Sequence, residues 1–272
     1  MKKNTNTKVA LIYDFDKTLS PKDMQEFHCL KTLGYNNPSD FWKKCAENSN
    51  EHNMDGILSY MYMMAKSDPN LTQKRLREEG KYIKLYKGVD TWFKRINEYG
   101  KKHNVDIEHY IISSGLTDII MGTSIAKEFK KVYACTYAYD KDGHILWPSR
   151  VVNYTMKTQY LFRINKGVFD ETNDNDLNSS NPFKYVPINN MVYFGDGLTD
   201  VPSMKVVNQF GGYTIAVFGD RKTKKDLAME LYHDKRANFA LLADYSEGSK
   251  IEKVVMSIID SIEAKNKLEN IK

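Results

Sequence analysis

The chain has 272 residues, 41% of them hydrophobic, which is enough to bury the core of one large domain or of two unequal ones. Its 40 lysines and arginines outnumber its 35 acidic residues but are scattered along the chain, so the charge pattern does not predict a nucleic-acid partner. Three cysteines without CxxC spacing argue against disulfides and zinc, no apolar run is long enough to span a membrane, and we expect a cytoplasmic protein without a membrane partner.

Short apolar runs rich in β-branched and aromatic residues predict the strands of a buried sheet. In chain order these runs are 9–13, 109–112, 131–135, 191–194, 213–218 and 239–243. Helix-like stretches separate most of them, which is typical of parallel strands connected through helices. The sequence therefore predicts an α/β fold with a parallel sheet.

The stretch from about residue 21 to 85 differs from the rest of the chain. It contains no convincing strand, but Ile57, Tyr60, Met61 and Met64 recur at helical spacing. We predict that this stretch is a helical insertion.

Two later segments are predicted to connect regular elements. Asp-Gly at 142–143, inside the segment 137–147, is typical of a hairpin turn in which Gly143 has a positive φ angle. Residues 167–190 are rich in Asn, Asp and Ser and contain few apolar side chains, which indicates a solvated surface loop that does not pack.

Three of the predicted strands end in small or acidic polar residues. The segments are IYDFD at 12–16, YIISSG at 110–115 and VYFGDG at 192–197. If these strands are parallel neighbours, their carboxyl ends lie along one edge of the sheet, where open α/β sheets bind ligands. A carboxylate at a buried strand end is costly unless it holds a cation, so we expect a metal site there.

At these positions the chain resembles the haloacid dehalogenase superfamily of phosphohydrolases, in particular its phosphoserine-phosphatase-like branch. DFDKT at 14–18 matches the first motif of that family, DxDx[TV], and Ser113 matches the second motif. Lys157 stands where the third motif has its lysine, and GDGLTD at 195–200 matches the fourth. The motifs follow in the family's order, and the likeness runs over most of residues 9–260.

The resemblance implies a Rossmann-like three-layer core with a parallel sheet, formed by residues 1–20 and 86–272. Residues 21–85 are then a small helical cap that chooses the substrate. The implied activity is Mg²⁺-dependent hydrolysis of a small phosphomonoester through an aspartyl-phosphate intermediate. The implied partner is a small-molecule phosphate ester.

The resemblance also implies catalytic roles for the two acids of the first motif. Asp14 is the nucleophile that attacks phosphorus, and Asp16 protonates the leaving alkoxide and later takes a proton from water. Holding an aspartic acid protonated at pH 7 costs about 4 kcal/mol. Neighbouring carboxylates and the phosphate must supply part of that energy.

The metal ligands follow from the same motifs. Asp14, the backbone carbonyl of Asp16 and Asp196 would bind Mg²⁺, which prefers oxygen ligands. Asp200 would bind a metal-bound water or orient Lys157.

The remaining phosphoryl oxygens require positive charge and hydrogen-bond donors, which Lys157 and Ser113 would supply. We favour Ser113 over Ser114 because the family's motif has serine directly after the strand and glycine two residues later. We favour Lys157 over Lys166 because it opens a helical segment. Further candidates for substrate binding are Thr18, Ser114 and Gly115.

Asp23 is a candidate for binding the leaving group. It lies nine residues after the nucleophile, where serine phosphatases of the family have an acid that pairs with the substrate's ammonium group. Those enzymes also use a cap arginine to bind the substrate's carboxylate, and no arginine precedes Arg75, so phosphoserine is not favoured. A phosphorylated amine or amino alcohol is our hypothesis for the substrate.

The same residues bear on related activities. Ion-pump ATPases require Gly after DKT, where this chain has Leu19, and dehalogenases proper lack the second Asp of the first motif. The Gly-Asp pair at 219–220 lacks an acid at the right spacing and is predicted to be a loop. A phosphomutase, or a binding protein that turns over slowly, shares the motifs and stays open.

Overall fold

A seven-stranded sheet organises the residues described by the computed structural model, which are 7–180, 182–220, 222–269 and 271. Its strands are β1 (Thr7–Tyr13), β2 (Val105–Leu116), β3 (Lys131–Tyr139), β4 (Ile145–Arg150), β5 (Met191–Gly195), β6 (Tyr213–Phe218) and β7 (Phe239–Leu242). Their order is β4-β3-β2-β1-β5-β6-β7, and neighbours are parallel except β3 and β4. The predicted α/β fold with a parallel sheet is confirmed, while residues 1–6 of the predicted core lie outside the described residues.

Eleven α-helices connect and cover the strands in the part of the chain that the structure describes. They are α1 (Cys29–Thr32), α2 (Pro38–His52), α3 (Gly56–Ser67), α4 (Gln73–Glu79), α5 (Val89–Lys102), α6 (Thr117–Met121), α7 (Tyr154–Lys166), α8 (Asp174–Asn178), α9 (Val201–Gln209), α10 (Lys222–His233) and α11 (Lys250–Glu269). Helix α5 packs with α11, and α7 packs with α9, so two separate helix pairs contact the sheet. None of the described helices is long and apolar enough to cross a membrane.

Strand β1 lies at the centre of the sheet and sets the position of the predicted site. It is apolar because both of its faces are covered, and its residues from Val9 to Tyr13 are fully buried. Tyr13 pairs with Ile111 of β2 on one side and with Phe194 of β5 on the other. The residues that follow β1 and β5, and the last residues of β2 from Ser113 to Leu116, therefore lie at the same edge of the sheet.

Residues 21–85 contain helices α1 to α4 and no strand among the seven. The chain after α3 contacts the β3–β4 hairpin, because Gln73 N donates to Gly143 O (2.9 Å) and Ile145 N donates to Leu71 O (3.2 Å). Gly143 has a φ of 86°, which fits the turn predicted from Asp-Gly. The division of the chain into a core and a cap at residue 21 and residue 85 stays a prediction.

The segment 167–190 differs from the prediction that it would not pack. It contains helix α8, and Val186 within it is fully buried. Arg163 is 2% exposed and donates to the carbonyls of Asp170 (3.0 Å) and Glu171 (3.2 Å) and to the carboxylate of Asp174 (2.7 Å). The polar residues are ordered here because a buried guanidinium requires acceptors, and this segment supplies them.

A buried chain of hydrogen bonds supports the end of β1. Trp92 Nε1 donates to the Tyr13 hydroxyl (2.8 Å), which lies 3.1 Å from His109 Nδ1, and His109 Nε2 lies 3.1 Å from Asn97 Oδ1. With Tyr13 donating to Nδ1, a neutral imidazole donates from Nε2, and every group has a partner. Burial lowers the pKa of His109 to about 3.

We therefore expect acid to destabilise the protein through His109. Its pKa in the folded state lies below the unfolded value of about 6.5, so its contribution to stability is complete above that pH and is lost as pH falls towards 3. Because of His109, the free energy of unfolding measured with urea should be about 2 kcal/mol smaller at pH 5 than at pH 7. His109→Asn should show a correspondingly weaker pH dependence, and equal slopes for the two proteins would contradict the assignment.

Candidate active site

A cavity of about 310 Å³ lies at the edge where β1, β2 and β5 end. Eight of the residues predicted from the sequence line it, namely Asp14, Asp16, Asp23, Ser113, Ser114, Gly115, Lys157 and Asp196. Asp200 does not line the cavity. Its Oδ1 accepts a hydrogen bond from Lys157 Nζ (2.7 Å). Thr18 is fully buried outside the cavity lining, and its hydroxyl has no partner among the described residues.

Lys157 is the buried cation of the site. Asn153 caps the start of α7 by accepting from Met156 N, which places Lys157 on the first turn of that helix. Its Nζ lies 2.7 Å from Asp200 Oδ1 and 3.3 Å from Asp14 Oδ2, and the side chain is completely buried. Burial lowers the pKa of Lys157, but the ion pairs outweigh burial and raise it, so the ammonium stays charged.

The rival lysine lies at the other end of the same helix. Lys166 Nζ donates to the carbonyls of Leu177 and Ser179, both at 2.6 Å. It does not line the cavity. Of the two lysines weighed from the sequence, the structure brings only Lys157 to the acidic residues.

Three buried carboxylates form the acidic part of the site. Oxygen atoms of Asp14, Asp196 and Asp200 lie within 4.8 Å of one another. Burial raises the pKa of Asp14 to about 7 although Lys157 opposes the shift, and burial followed by the charge of Asp200 raises the pKa of Asp196. A cation at this position would relieve both effects.

The chemistry of this donor set fits Mg²⁺. Carboxylate oxygens are the hard ligands that Mg²⁺ takes in proteins, usually together with several waters. Asp200 lies outside the cavity lining, and its Oδ1 accepts from Lys157 and from the Tyr193 hydroxyl (2.8 Å). Asp14 and Asp196 line the cavity, so these two are the carboxylates placed to reach the ion. Gly195 is required here because a Cβ atom would lie 2.4 Å from Asp200 Cγ.

Lys224 was not predicted from the sequence. It lies near the start of α10, and its Nζ is 2.8 Å from Asp196 Oδ2. Lys157 contacts Asp14 and Asp200, and Lys224 contacts Asp196, so each of the three carboxylates has an ammonium partner. In a chain with 40 basic residues no local signal distinguishes Lys224.

Asp16 has the environment of a proton donor. Its Oδ1 accepts from Met24 N at 2.8 Å. Burial and then the charges of Asp23 and Asp14 raise its pKa well above the usual value. These effects shift Asp16 towards its protonated form, which is the form that general acid catalysis requires.

Asp23 lines the cavity but has a partner within the chain. Lys17 Nζ lies 2.5 Å from Asp23 Oδ2, and both side chains are partly buried. Lys17 has a φ of 59°, a left-handed conformation that is uncommon for residues with a side chain. A substrate ammonium group would have to compete with Lys17 for Asp23.

The two candidate serines have different hydrogen-bond partners. The Ser114 hydroxyl donates to Val152 O (2.7 Å), so its proton is already engaged. The Ser113 oxygen accepts from Gly115 N (3.1 Å), which leaves its hydroxyl proton available for a phosphoryl oxygen. This geometry favours Ser113 as the donor.

The cavity is also lined by residues to which the sequence analysis assigned no function. They are Lys17, Gln25, Trp42, Gly56, Ile57, Tyr60 and Thr199. Phe41, an aromatic residue of 21–85, is fully buried in the core. Trp42 and Tyr60 instead face the cavity as well as the core, which helical periodicity alone does not reveal.

The amino-acid sequence is similar to that of a known protein. No family model matches the chain. A protein of Borreliella burgdorferi described as uncharacterized is 26% identical over 292 residues, which cover 92% of this chain and 98% of that protein.

Solved structures give a more informative likeness. A HAD family hydrolase from Salmonella enterica serovar Typhi has a TM-score of 0.59 at 14% identity, covering 87% of this chain and 68% of that one. A probable phosphoserine phosphatase from Vibrio cholerae has the same TM-score and identity, covering 98% and 68%. A phosphoserine phosphatase determined as a phospho-aspartyl intermediate analogue has a TM-score of 0.53 at 15% identity, covering 92% and 98%.

Proposed function

Because the chain has the phosphoserine-phosphatase-like fold of the haloacid dehalogenase superfamily, we propose that it is a Mg²⁺-dependent phosphatase of small phosphomonoesters. The observation that carries the proposal is the convergence of Asp14, Asp16, Ser113, Lys157 and Asp196 around one cavity, although they lie far apart in the sequence. Phosphoryl transfer depends mainly on positioning and on neutralising charge. These residues provide a nucleophile, an acid and cationic or hydroxyl donors for both tasks.

The first step begins at Asp14. Its Oδ1 accepts from Phe15 N (2.8 Å) and its Oδ2 faces Lys157, so the carboxylate is held in one orientation. Attack of a carboxylate oxygen on phosphorus forms the aspartyl-phosphate and breaks the ester P–O bond. Asp16 gives its proton to the departing alkoxide, which leaves as the alcohol.

The second step reverses the role of Asp16. Its carboxylate takes a proton from a water molecule as the water oxygen attacks phosphorus. The P–O bond to Asp14 breaks, inorganic phosphate leaves, and both acids return to their starting forms. Lys157 and the Ser113 hydroxyl hold the phosphoryl oxygens through both steps.

Mg²⁺ would be held by Asp14, Asp196 and the backbone carbonyl of Asp16. When bound, it supplies positive charge that allows an anionic nucleophile to approach an anionic phosphate. Asp200 acts through Lys157, whose ammonium it fixes at 2.7 Å. No contact among the described residues favours a phosphomutase or a binding protein that turns over slowly. Free phosphate is therefore the expected product.

A phosphate-release assay across many phosphomonoesters tests this function. We expect at least one ester to release inorganic phosphate with MgCl₂ present, and we expect EDTA to abolish the release. Isomerised ester without free phosphate would instead indicate a phosphomutase. Equal release with and without Mg²⁺ would contradict the proposed role of the acidic cluster.

A further inference from the structure

Gln25 is a buried polar side chain of the cavity that the phosphatase mechanism does not use. It is 2% exposed and lines the cavity together with Asp14 and Asp16. Its Oε1 atom has no hydrogen-bond partner among the described residues. Buried acceptors are nearly always paired because leaving one unpaired is destabilising. An unpaired amide in a ligand cavity therefore indicates a contact that the ligand completes.

The other polar groups near Gln25 are already engaged. Trp42 Nε1 donates to Glu26 (2.8 Å), and the Tyr60 hydroxyl donates to Ser114 O (2.7 Å). Both aromatic residues therefore offer their rings to the cavity and not their donors. Aromatic faces and the side chain of Ile57 suit the C–H surfaces of a ligand.

The charged side chains of Lys17 and Asp23, which both line the cavity, compensate each other. Asp23 and Lys17 form an ion pair at 2.5 Å. An ammonium group on the leaving group would have to share Asp23 with Lys17, and a carboxylate would have to share Lys17 with Asp23. A charged leaving group would therefore meet a charge that is already compensated, so it gains little here.

A hydroxyl group complements the free amide best. It can accept from the amide nitrogen or, with the amide rotated, donate to the amide oxygen, whereas an ammonium group can only donate. This holds for either orientation of the amide, since rotation exchanges the oxygen and the nitrogen. The cavity of about 310 Å³ must also contain the phosphoryl group, which restricts the leaving group to a small molecule.

On the basis of the proposed phosphatase function, we propose that Gln25 selects the leaving group and that the substrate is the phosphate monoester of a small neutral polyol. One hydroxyl of the polyol hydrogen-bonds with the Gln25 amide. Its carbon chain lies against Trp42, Ile57 and Tyr60.

The test compares esters that differ at the leaving group. The wild type is assayed with glycerol 1-phosphate, ribose 5-phosphate and glucose 6-phosphate, and with propyl phosphate, phosphoethanolamine and O-phosphoserine. A site built to bind a hydroxyl rejects analogues that lack it, because its polar group is then left unpaired. We expect kcat/KM for the best polyol ester to exceed that for propyl phosphate about 100-fold.

Gln25→Met is the decisive variant because methionine has nearly the same shape and lacks the amide. We expect it to reduce the preference for the best polyol ester over propyl phosphate at least about tenfold. Gln73→Met, on α4 and outside the cavity lining, is the matched control and should leave this preference unchanged. Thermal melting of both variants establishes that they fold.

Two results would overturn the inference while leaving the phosphatase in place. One is a higher kcat/KM for phosphoethanolamine or O-phosphoserine than for every polyol ester. The other is an unchanged preference in folded Gln25→Met. No phosphate release from any ester by the wild type would overturn the phosphatase and this inference together.

Discussion

Asp14→Asn should lower phosphate release by about 10⁴-fold or more, because a carboxamide cannot replace the carboxylate as nucleophile. The substitution is nearly isosteric, so the cavity keeps its shape. Burial already disfavours the charge of Asp14, and Lys157 keeps Asp200 as a partner at 2.7 Å. The folded state should therefore be no less stable than the wild type. Phosphate release with Mg²⁺ and thermal melting measure the two parts of this prediction.

A matched substitution controls for the loss of a carboxylate elsewhere. Asp142 is exposed on the turn between β3 and β4 and does not line the cavity. Asp142→Asn should retain full activity, because asparagine before glycine also suits such a turn. If Asp14→Asn releases phosphate as fast as Asp142→Asn, Asp14 is not the nucleophile.

Lys157→Met should lower both activity and stability. Its ammonium lies 3.3 Å from Asp14 and 2.7 Å from Asp200, and all three groups are buried. Removing one partner of a buried ion pair leaves uncompensated charge and typically costs about 3–5 kcal/mol. The phosphoryl group loses a cationic contact at the same time, for which we expect an activity loss of about 10³-fold. Urea unfolding and phosphate release measure the two effects.

Lys166→Met is the control for Lys157→Met, since both lysines belong to α7. It removes hydrogen bonds to two carbonyls of the segment 167–190 but no contact of the cavity. We expect less than about a tenfold change in activity from it. A larger loss of activity in Lys166→Met than in Lys157→Met would show that Lys157, at the start of α7, is not the lysine that contacts the phosphoryl group.

Local patterns in the sequence were sufficient for much of the fold. The apolar run at 9–13 predicts a strand covered on both faces, and the helical spacing from Ile57 to Met64 predicts α3. Acidic and small residues after three such runs predict one site at the sheet edge, because parallel strands place their carboxyl ends together. The order of the four motifs then indicates the fold that the structural comparisons show.

The segment 167–190 shows where composition misleads. Its Asn, Asp and Ser content predicts a solvated loop, yet Arg163 holds it through two carbonyls and Asp174. Arginine is usually a surface residue, so its burial beside this segment cannot be read from either stretch alone.

The sequence by itself determined most of the strands, their order and the acids at their ends, since each depends on residues that are near neighbours in the chain. Only the tertiary structure decided that Lys17 compensates Asp23, that Lys224 pairs with Asp196 and that the Gln25 amide lacks a partner. These facts depend on which distant side chains the sheet register and the helices of 21–85 bring together. No period or spacing along the chain encodes such contacts, because they are properties of packing.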